Sequence, residues 1–356
     1  MARLMIMAGG TGGHVFPALA VAREMRERGW DVDWMGTPDS FESRTVPSQG
    51  FPLHTISAYR LRGQGAVGLL LAPFRLLRAM GQAGKVLRRC RPQVVLGMGG
   101  FVTGPGGLMS RLLGIPLVVH EQNTIPGLTN RWLAKIAVRV LEAFPGSFHA
   151  SAGARETGNP VRADILAVEP PEKRLAGRVG PVRVLIVGGS LGALALNQQL
   201  PPALARQKVE MEIRHQAGRG KAEATESLYR ELDLEARVSE FIEDMAEALA
   251  WADLVICRAG ALTVSELAAV GVASVLVPFP HAVDDHQTRN AEYLVAAGAA
   301  LLQPQAEIET HALAEKLGGL LGSRDKLLEM ARAARALGRP GATRAVADAC
   351  EEVASA

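Results

Sequence analysis

Gly9-Gly10-Thr11-Gly12-Gly13-His14 follows the apolar run Leu4–Ala8, and Gly188-Gly189-Ser190-Leu191-Gly192-Ala193 follows Val182–Val187. A glycine turn between a buried strand and a helix brings backbone N–H groups and a positive helix end close to phosphate. One such turn can serve only to pack helix on strand. Two of them suggest two nucleotide-type domains facing a cleft, with a different substrate on each. His14 closes the first loop, where the helix dipole favours a neutral imidazole that can accept a proton. It is a candidate general base; a purely structural N-cap histidine is the competing reading. The first loop lacks the GxGxxG spacing, and the strand ending Trp34-Met35-Gly36 lacks the ribose-binding acid, so hydride transfer is the weaker reading.

Further polar and glycine-rich segments close other strand-like runs. Six glycines lie between Gly97 and Gly107 after Val94–Leu96, offering a second anion cradle suited to a diphosphate, or only tight packing. His120-Glu121-Gln122-Asn123 ends another run, at the edge where open α/β sheets bind ligands, and its side chains suit sugar hydroxyls. In the second half, Arg258–Glu266 follows a strand and opens a helix. Ala261 to Thr263 would present N–H groups to phosphate, and Glu266 could clamp a ribose or stand as a solvated helix carboxylate. Asp31-Val32-Asp33 resembles a metal-binding DxD but opens a strand at the edge away from the expected cleft. Asp284-Asp285-His286 lacks further ligands at metal spacing. No metal is expected.

The elements that must position these residues alternate between strand and helix, the pattern of parallel sheets covered on both faces. Strands are expected at Leu4–Ala8, Asp31–Met35, Val94–Leu96 and Leu117–His120, with a helix over Pro17–Arg28. The second half restarts with strands Val182–Val187, Glu210–His215, Val238–Phe241, Leu254–Cys257 and Ser274–Val277. Helices are expected over Ala193–Arg206, Ala222–Leu232 and Thr263–Val270. Asn159-Pro160 to Pro181 reads as a linker, and Ala342–Ala356 as a last helix after Arg339-Pro340-Gly341. The expected fold class is α/β, two Rossmann-like domains with parallel sheets facing a cleft.

Composition narrows the function. At 356 residues with 48% hydrophobic and 21% charged residues, the chain fits two globular domains. Aromatics are 4%, too few for base-stacking platforms, so no nucleic-acid partner is expected. Cys90, Cys257 and Cys350 are isolated and odd in number, with no CxxC, which suits a reducing, cytoplasmic compartment and speaks against both a zinc site and a disulfide framework. Met1–Ala8 lacks the features of a secretory signal, and no run reaches the roughly 20 apolar residues of a membrane span.

Charge is unevenly distributed. No acid lies between Glu42 and Glu121, while that stretch holds ten cations: Arg44, Arg60, Arg62, Arg75, Arg78, Lys85, Arg88, Arg89, Arg91 and Arg111. They flank Gly65–Leu77, with Leu70, Leu71 and Phe74 among its apolar residues. Nucleic-acid binding and a solvated face are the other readings, but an apolar patch rimmed by arginine is what a peripheral protein shows to an anionic membrane.

The segments GGTGGHVFPALA (9–20), GMGGFVTGPGG (97–107), HEQNTIPGLTN (120–130), TGNPVR (157–162), GGSLGA (188–193), FIEDM (241–245), RAGALTVSE (258–266) and DDHQTRNAE (284–292) resemble the MurG family of bacterial N-acetylglucosaminyl transferases. The likeness runs nearly end to end and extends to the wider two-domain GT-B glycosyltransferases. It implies an acceptor and membrane-binding domain at 1–160, a UDP-GlcNAc-binding domain at 161–339, and a final helix, 340–356, packed back on the first. It further implies inverting, metal-independent transfer of N-acetylglucosamine from UDP-GlcNAc to the muramyl 4-hydroxyl of lipid I, without a cofactor, giving lipid II. The enzyme would sit peripherally on the cytoplasmic face of the plasma membrane.

By the same resemblance His14 is the base. Donor contacts fall on Thr11, Gly12, Gly13 and Asn123 of the first domain. Those of the second are Arg162, Ser190, Ile242, Ala261, Leu262, Thr263, Val264, Ser265, Glu266 and Gln287. The acceptor diphosphate would lie near Gly13, Gly99, Gly100 and Thr103, and the membrane patch comprises Leu70, Leu71, Phe74, Arg75, Arg78, Lys85, Arg88 and Arg89. Phe101 stands where some members have Tyr, and His286 where some have Gln. A nucleotide-sugar epimerase or hydrolase would need no basic lipid-facing patch, and a non-catalytic membrane sensor would tolerate loss of His14.

Overall fold

The computed structural model describes residues 2–58, 66–189, 192–308 and 310–356. Its contacts divide into two compact units, Met1–Arg162 with Pro340–Ala356, and Ala163–Arg339. In the first unit β1 (Arg3–Met7), β2 (Asp31–Gly36), β3 (Leu53–Thr55), β4 (Val94–Gly97), β5 (Leu117–Glu121), β6 (Arg139–Glu142) and β7 (Arg155–Glu156) form one sheet. Their order is β3-β2-β1-β4-β5-β6-β7, and every pairing is parallel. All strand carboxyl ends therefore share one edge, and the chain switches direction of travel between β1 and β4, where such sheets bind ligands.

Both faces of this sheet are covered, which is why β1 is apolar without alternation. Leu4, Ile6 and Ala8 join the core under α1 (Gly12–Glu27). Met5 and Met7 point the other way, into the core that holds Ala83 and Leu87 of α3 (Ala66–Cys90). On α1 the buried Val15, Ala18, Leu19, Ala22 and Met25 repeat at helical spacing. The helix α2 (Phe41–Ser48) opens with a capping box between Ser40 and Ser43. Two more helices, α4 (Thr103–Leu112) and α5 (Leu128–Leu133), follow β4 and β5.

The final helix, Ala342–Ser355, packs on α1. Its Val346, Ala347, Cys350 and Val353 are buried in the α1-side core. At the rim, Arg28 pairs with Glu24, Asp348 and Glu351 at 2.7–2.9 Å, and Trp30 Nε1 donates to Glu351.

The second unit repeats the plan. Its strands are β8 (Val182–Val187), β9 (Met211–Gln216), β10 (Arg237–Ser239), β11 (Leu254–Cys257), β12 (Ala273–Leu276) and β13 (Ala300–Leu302). They lie in the order β10-β9-β8-β11-β12-β13, again all parallel. Its helices are α6 (Ala163–Leu166), α7 (Pro171–Arg174), α8 (Leu194–Ala205), α9 (Ala222–Glu231), α10 (Met245–Trp251), α11 (Ala261–Val270), α12 (His286–Val295), α13 (Thr310–Leu321) and α14 (Arg324–Ala336). The final helix of the chain is thus α15.

Three expectations about elements need correction. The first helix starts at Gly12, not Pro17. The proline falls in the second turn, and its missing N–H costs one ladder bond that the buried face of α1 outweighs. The stretch 160–181 is not a structureless linker. Its α7 is tied to the rest of the second unit by Arg174, whose guanidinium donates to Ala250 O, Val270 O and Gly271 O, satisfying carbonyls at the carboxyl ends of α10 and α11. Residue 241 lies outside β10, which ends at Ser239.

Candidate functional site

In the first unit the carboxyl ends of β1, β4 and β5 are neighbours, so the loops after them meet. After β1, Gly10 adopts a positive φ of 93° and Gly12 and Gly13 open α1. Their N–H groups belong to the first helical turn, which has no intrahelical acceptors. Thr11 is the exposed N-cap residue, with no side-chain cap bond. After β4, Gly99 and Gly100 also take positive φ, 99° and 92°. A Cβ on Gly100 would lie 2.5 Å from Gly9 O, and one on Gly99 would lie 2.8 Å from His14 Cε1 and Nδ1. The two glycine turns press against each other, with the His14 ring between them, and only glycine fits.

Behind this ring runs a chain of hydrogen bonds. His14 Nδ1 lies 2.7 Å from Gln122 Oε1. The Gln122 amide lies 3.1 Å from His120 Nδ1 and donates to His120 O. His120 Nε2 meets Gly158 O at 3.0 Å. Each link has one donor and one acceptor if His14 carries its proton on Nδ1 and His120 on Nε2. Burial pushes His120 down to about 4, so this ring is neutral near pH 7 and hands no charge to Gln122. The Nε2 lone pair of His14 is left facing away from the network.

Carboxylates hold the surrounding loops. Glu42 is fully buried and accepts from Gly10 N, Thr37 N and Thr37 Oγ1 at 2.8–3.0 Å. Burial alone would raise its carboxyl, but these bonds outweigh burial and hold it below its ordinary range. Glu121 accepts from Asn123 N, Asn123 Nδ2, Gly127 N and Asn130 Nδ2. Glu142 does the same for Gly146 N and Phe148 N. Asn123 is thereby oriented from behind. Thr103, expected near an acceptor phosphate, is fully buried, and its hydroxyl donates to Gly99 O at 2.8 Å. It braces the β4 turn from inside and offers no side-chain contact to a ligand.

Arg162, assigned by resemblance to the second domain, is the last residue of the first unit. Its guanidinium carbon lies 6.0 Å from the Phe16 ring on α1.

In the second unit β8 and β11 are adjacent, and again the two chemistry-bearing turns follow them. Gly189 has a φ of 85° and Gly192 of 68°. Gly189 exchanges hydrogen bonds with the Gln216 side chain in both directions, each 3.1 Å. Ser190 lies outside the described residues. The α11 helix starts at Ala261 with Gly260 as N-cap, which leaves the N–H groups of Ala261, Leu262 and Thr263 as first-turn donors. Val264 N bonds Gly260 O, and the Ser265 hydroxyl donates to Ala261 O, so both are already engaged. Glu266 is half-buried one turn in.

Gln287 Oε1 accepts from Phe279 N, while Arg258 reaches Val277 O, Pro278 O and Gln305 Oε1. Together they shape the segment before α12, where Asp284 and Asp285 are both left-handed, φ 54° and 52°. Two non-glycine residues in that region mark a strained segment. Ile242 is partly buried beyond β10.

Sequence reasoning missed Gln122 and Arg258 in their orienting places, and it missed Glu42 and Gln216 altogether. A polar residue just past a buried strand was the available signal for Gln122 and Gln216. It also missed the apolar side chains that α4 and α5 add near the basic patch. Among patch residues, Phe74 is 70% exposed and Arg78, Lys85, Arg88 and Arg89 are exposed; the Leu70 side chain lies outside the description. Leu77 is 64% exposed on the same helix. The adjoining α4 and α5 add exposed Leu112, Leu128 and Trp132, with Lys135 Nζ 4.3 Å over the Trp132 ring. No helix among the described residues is long and apolar enough to cross a membrane.

Comparison with known proteins agrees with this architecture. Residues 4–142 match the glycosyltransferase family 28 N-terminal domain, and residues 183–353 match the family 28 C-terminal domain. The UDP-N-acetylglucosamine–N-acetylmuramyl-(pentapeptide) pyrophosphoryl-undecaprenol N-acetylglucosamine transferase of Marinobacter nauticus is 56% identical over 99% of this chain and 98% of its own. The crystal structure of Acinetobacter baumannii MurG superposes with a TM-score of 0.88 at 44% identity, covering 99% of this chain and 100% of that one. The spinosyn forosaminyltransferase SpnP, at 16% identity and a TM-score of 0.71 over the full length of both, shares the fold alone. The fold is the two-domain GT-B type, the protein is a glycosyltransferase, and the chain belongs to the MurG family within glycosyltransferase family 28.

Proposed function

We propose that this chain moves N-acetylglucosamine from UDP-GlcNAc to the 4-hydroxyl of the N-acetylmuramyl sugar of lipid I, with inversion, to form lipid II. The observation that carries the mechanism is the His14–Gln122 hydrogen bond of 2.7 Å. With Nδ1–H held by a buried amide, Nε2 is the atom that takes the acceptor proton. The acceptor oxygen then bonds to the anomeric carbon as the bond to the UDP oxygen breaks. Charge gathers on the leaving diphosphate, where first-turn N–H groups of α11 and the Gly188–Gly189 turn supply stabilisation in place of a divalent ion.

In this reading Ala261, Leu262 and Thr263 face the donor phosphates through their backbone, and Glu266 holds the ribose. Ser190, Ile242, Gln287 and Arg162 complete the nucleotide and sugar contacts, while Val264 and Ser265 hold the first turn of α11 in shape. Thr11, Gly12, Gly13 and Asn123 meet the donor sugar from the first unit. Gly13, Gly99 and Gly100 cradle the acceptor diphosphate. The exposed face of α3 rests on the cytoplasmic, anionic leaflet and presents the enzyme to a lipid-linked acceptor.

The test is transfer from UDP-GlcNAc to a lipid I analogue in the presence of a chelator. The intact chain is expected to turn over, and His14→Ala to lose about 10²–10⁴-fold in kcat. Absence of transfer in the parent, or full activity in the variant, would sink the mechanism.

A further inference from the structure

Asp33, His54 and Cys90 come from three elements, β2, β3 and the last residue of α3, and their side chains converge. His54 Nε2 lies 2.7 Å from Asp33 Oδ1 and 3.4 Å from Cys90 Sγ. The three donor atoms all fall within 4.8 Å of one another. Asp33 and Cys90 are buried, while the His54 side chain keeps 17% exposure, so solvent reaches the cluster through the imidazole. Asp33 sits mid-strand opposite Met5, His54 is in register with Met35, and Cys90 ends α3; Arg3, at the start of β1, stands beside them, its Nη1 donating to Cys90 O. None of the three belongs to the His14–Gln122–His120 chain of hydrogen bonds.

We propose that Asp33, His54 and Cys90 bind a borderline-soft divalent cation of the zinc class, with water in the fourth position. A tetrahedral ion with Zn–N and Zn–O near 2.05 Å and Zn–S near 2.3 Å spaces its ligands about 3.3 Å (N to O) and about 3.6 Å (S to N). The sulfur–nitrogen gap already fits, and the carboxylate needs to retreat by about half an ångström. Mixed S, N and O donors select zinc or cobalt over magnesium or calcium, which want oxygen alone.

The protons balance. Without an ion, Arg89 Nη2 donates to His54 Nδ1 at 2.7 Å, which places the ring proton on Nε2, against Asp33. Burial and the Asp33 charge keep the Cys90 thiol protonated. Binding moves the ring proton to Nδ1, displaces the exposed Arg89 head, and releases one proton from the thiol. The ion then meets one thiolate and one carboxylate, and the site becomes neutral. Arg3, 3.6 Å from the second Asp33 oxygen, tempers the charge in the metal-free state. An ion here would stitch the last turn of α3 to the sheet edge.

The test uses the untagged full-length chain, stripped with chelator and titrated with cobalt(II). A thiolate-to-cobalt charge-transfer band is expected, competed away by zinc and absent in Cys90→Ser. Cys257 and Cys350 remain as internal controls, both fully buried in other parts of the core. His54→Asn should weaken binding by at least about tenfold and remove the rise in Tm that zinc gives the parent; it serves alone if Cys90→Ser fails to fold. No thiolate band in the parent, or the same affinity in both variants, overturns the proposal. Glycosyl transfer plays no part in this readout, so the site stands or falls apart from the proposed reaction.

Discussion

A base must hold its proton on the correct nitrogen before it can accept another, and at His14 that task falls to a neutral amide. Gln122 Oε1 accepts from the ring, and its NH2 group is committed to His120. Replacing Gln122 with Ala frees the ring to rotate and tautomerise. The expected result is a fall in kcat of about 10–100-fold with little change in the KM for UDP-GlcNAc. Gln122→Glu keeps an acceptor at the same place but adds a charge that favours imidazolium. The acid limb of its pH–rate profile should therefore move to higher pH, and an unmoved limb would mean that Gln122 only fills space. His14 was legible in the sequence because it ends a glycine loop. Gln122 was legible only as part of a polar strand end, because nothing local shows that position 122 reaches position 14. Asp33, His54 and Cys90 were unreadable as a group for the same reason: β2, β3 and α3 are brought together only by the sheet order.

At the scale of elements, loops at the carboxyl edge are pinned by buried carboxylates, so loop geometry depends on ionisation. Glu42, on α2, is the clearest case, since it bonds the first glycine turn and the end of β2 together. Its folded-state pKa lies below the ordinary 4.5. The stabilisation is therefore complete above that value and is lost as pH falls through the lowered one. Glu42→Gln sets an NH2 against backbone donors and should cost about 2 kcal/mol at pH 7. Urea titrations of parent and variant should differ most at neutral pH and converge as pH falls through the lowered pKa; a constant difference would remove ionisation from the account. Strand positions such as Leu4–Ala8 were legible because apolar runs between glycines admit few other readings. The start of α1 was not, because Gly12 and Gly13 are poor helix formers taken into the helix by the packing of Val15, Leu19 and Met25. The segment 160–181 misled for a related reason: its Pro and Gly content conceals Arg174, whose three backbone acceptors are distant in sequence.

At the scale of the molecule, the charge asymmetry of the chain concentrates on one long helix. The described part of α3 carries Arg75, Arg78, Lys85, Arg88 and Arg89 and no acid, while Phe74 and Leu77 stand out into solvent beside them. Leaving such side chains in water adds nothing to folding, and each would gain about 1.5–3 kcal/mol on entering an apolar phase. Each nearby cation adds about 1 kcal/mol at an anionic surface. Neither contribution alone holds a protein on a membrane, but several of each do, and the two respond differently to conditions. Reversing Arg75, Arg78, Arg88 and Arg89 to Glu should abolish binding to vesicles containing anionic lipid and should remove its salt dependence. Phe74→Ser with Leu77→Ser should weaken binding to the same vesicles while leaving the salt slope intact. Both variants should keep transfer to a short-chain, water-soluble acceptor, because α3 contributes no residue to the His14 network. Sedimentation with vesicles at two ionic strengths reads both effects. Equal binding by the parent and the charge-reversed chain would detach the basic stretch from the membrane and return it to an ordinary solvated face.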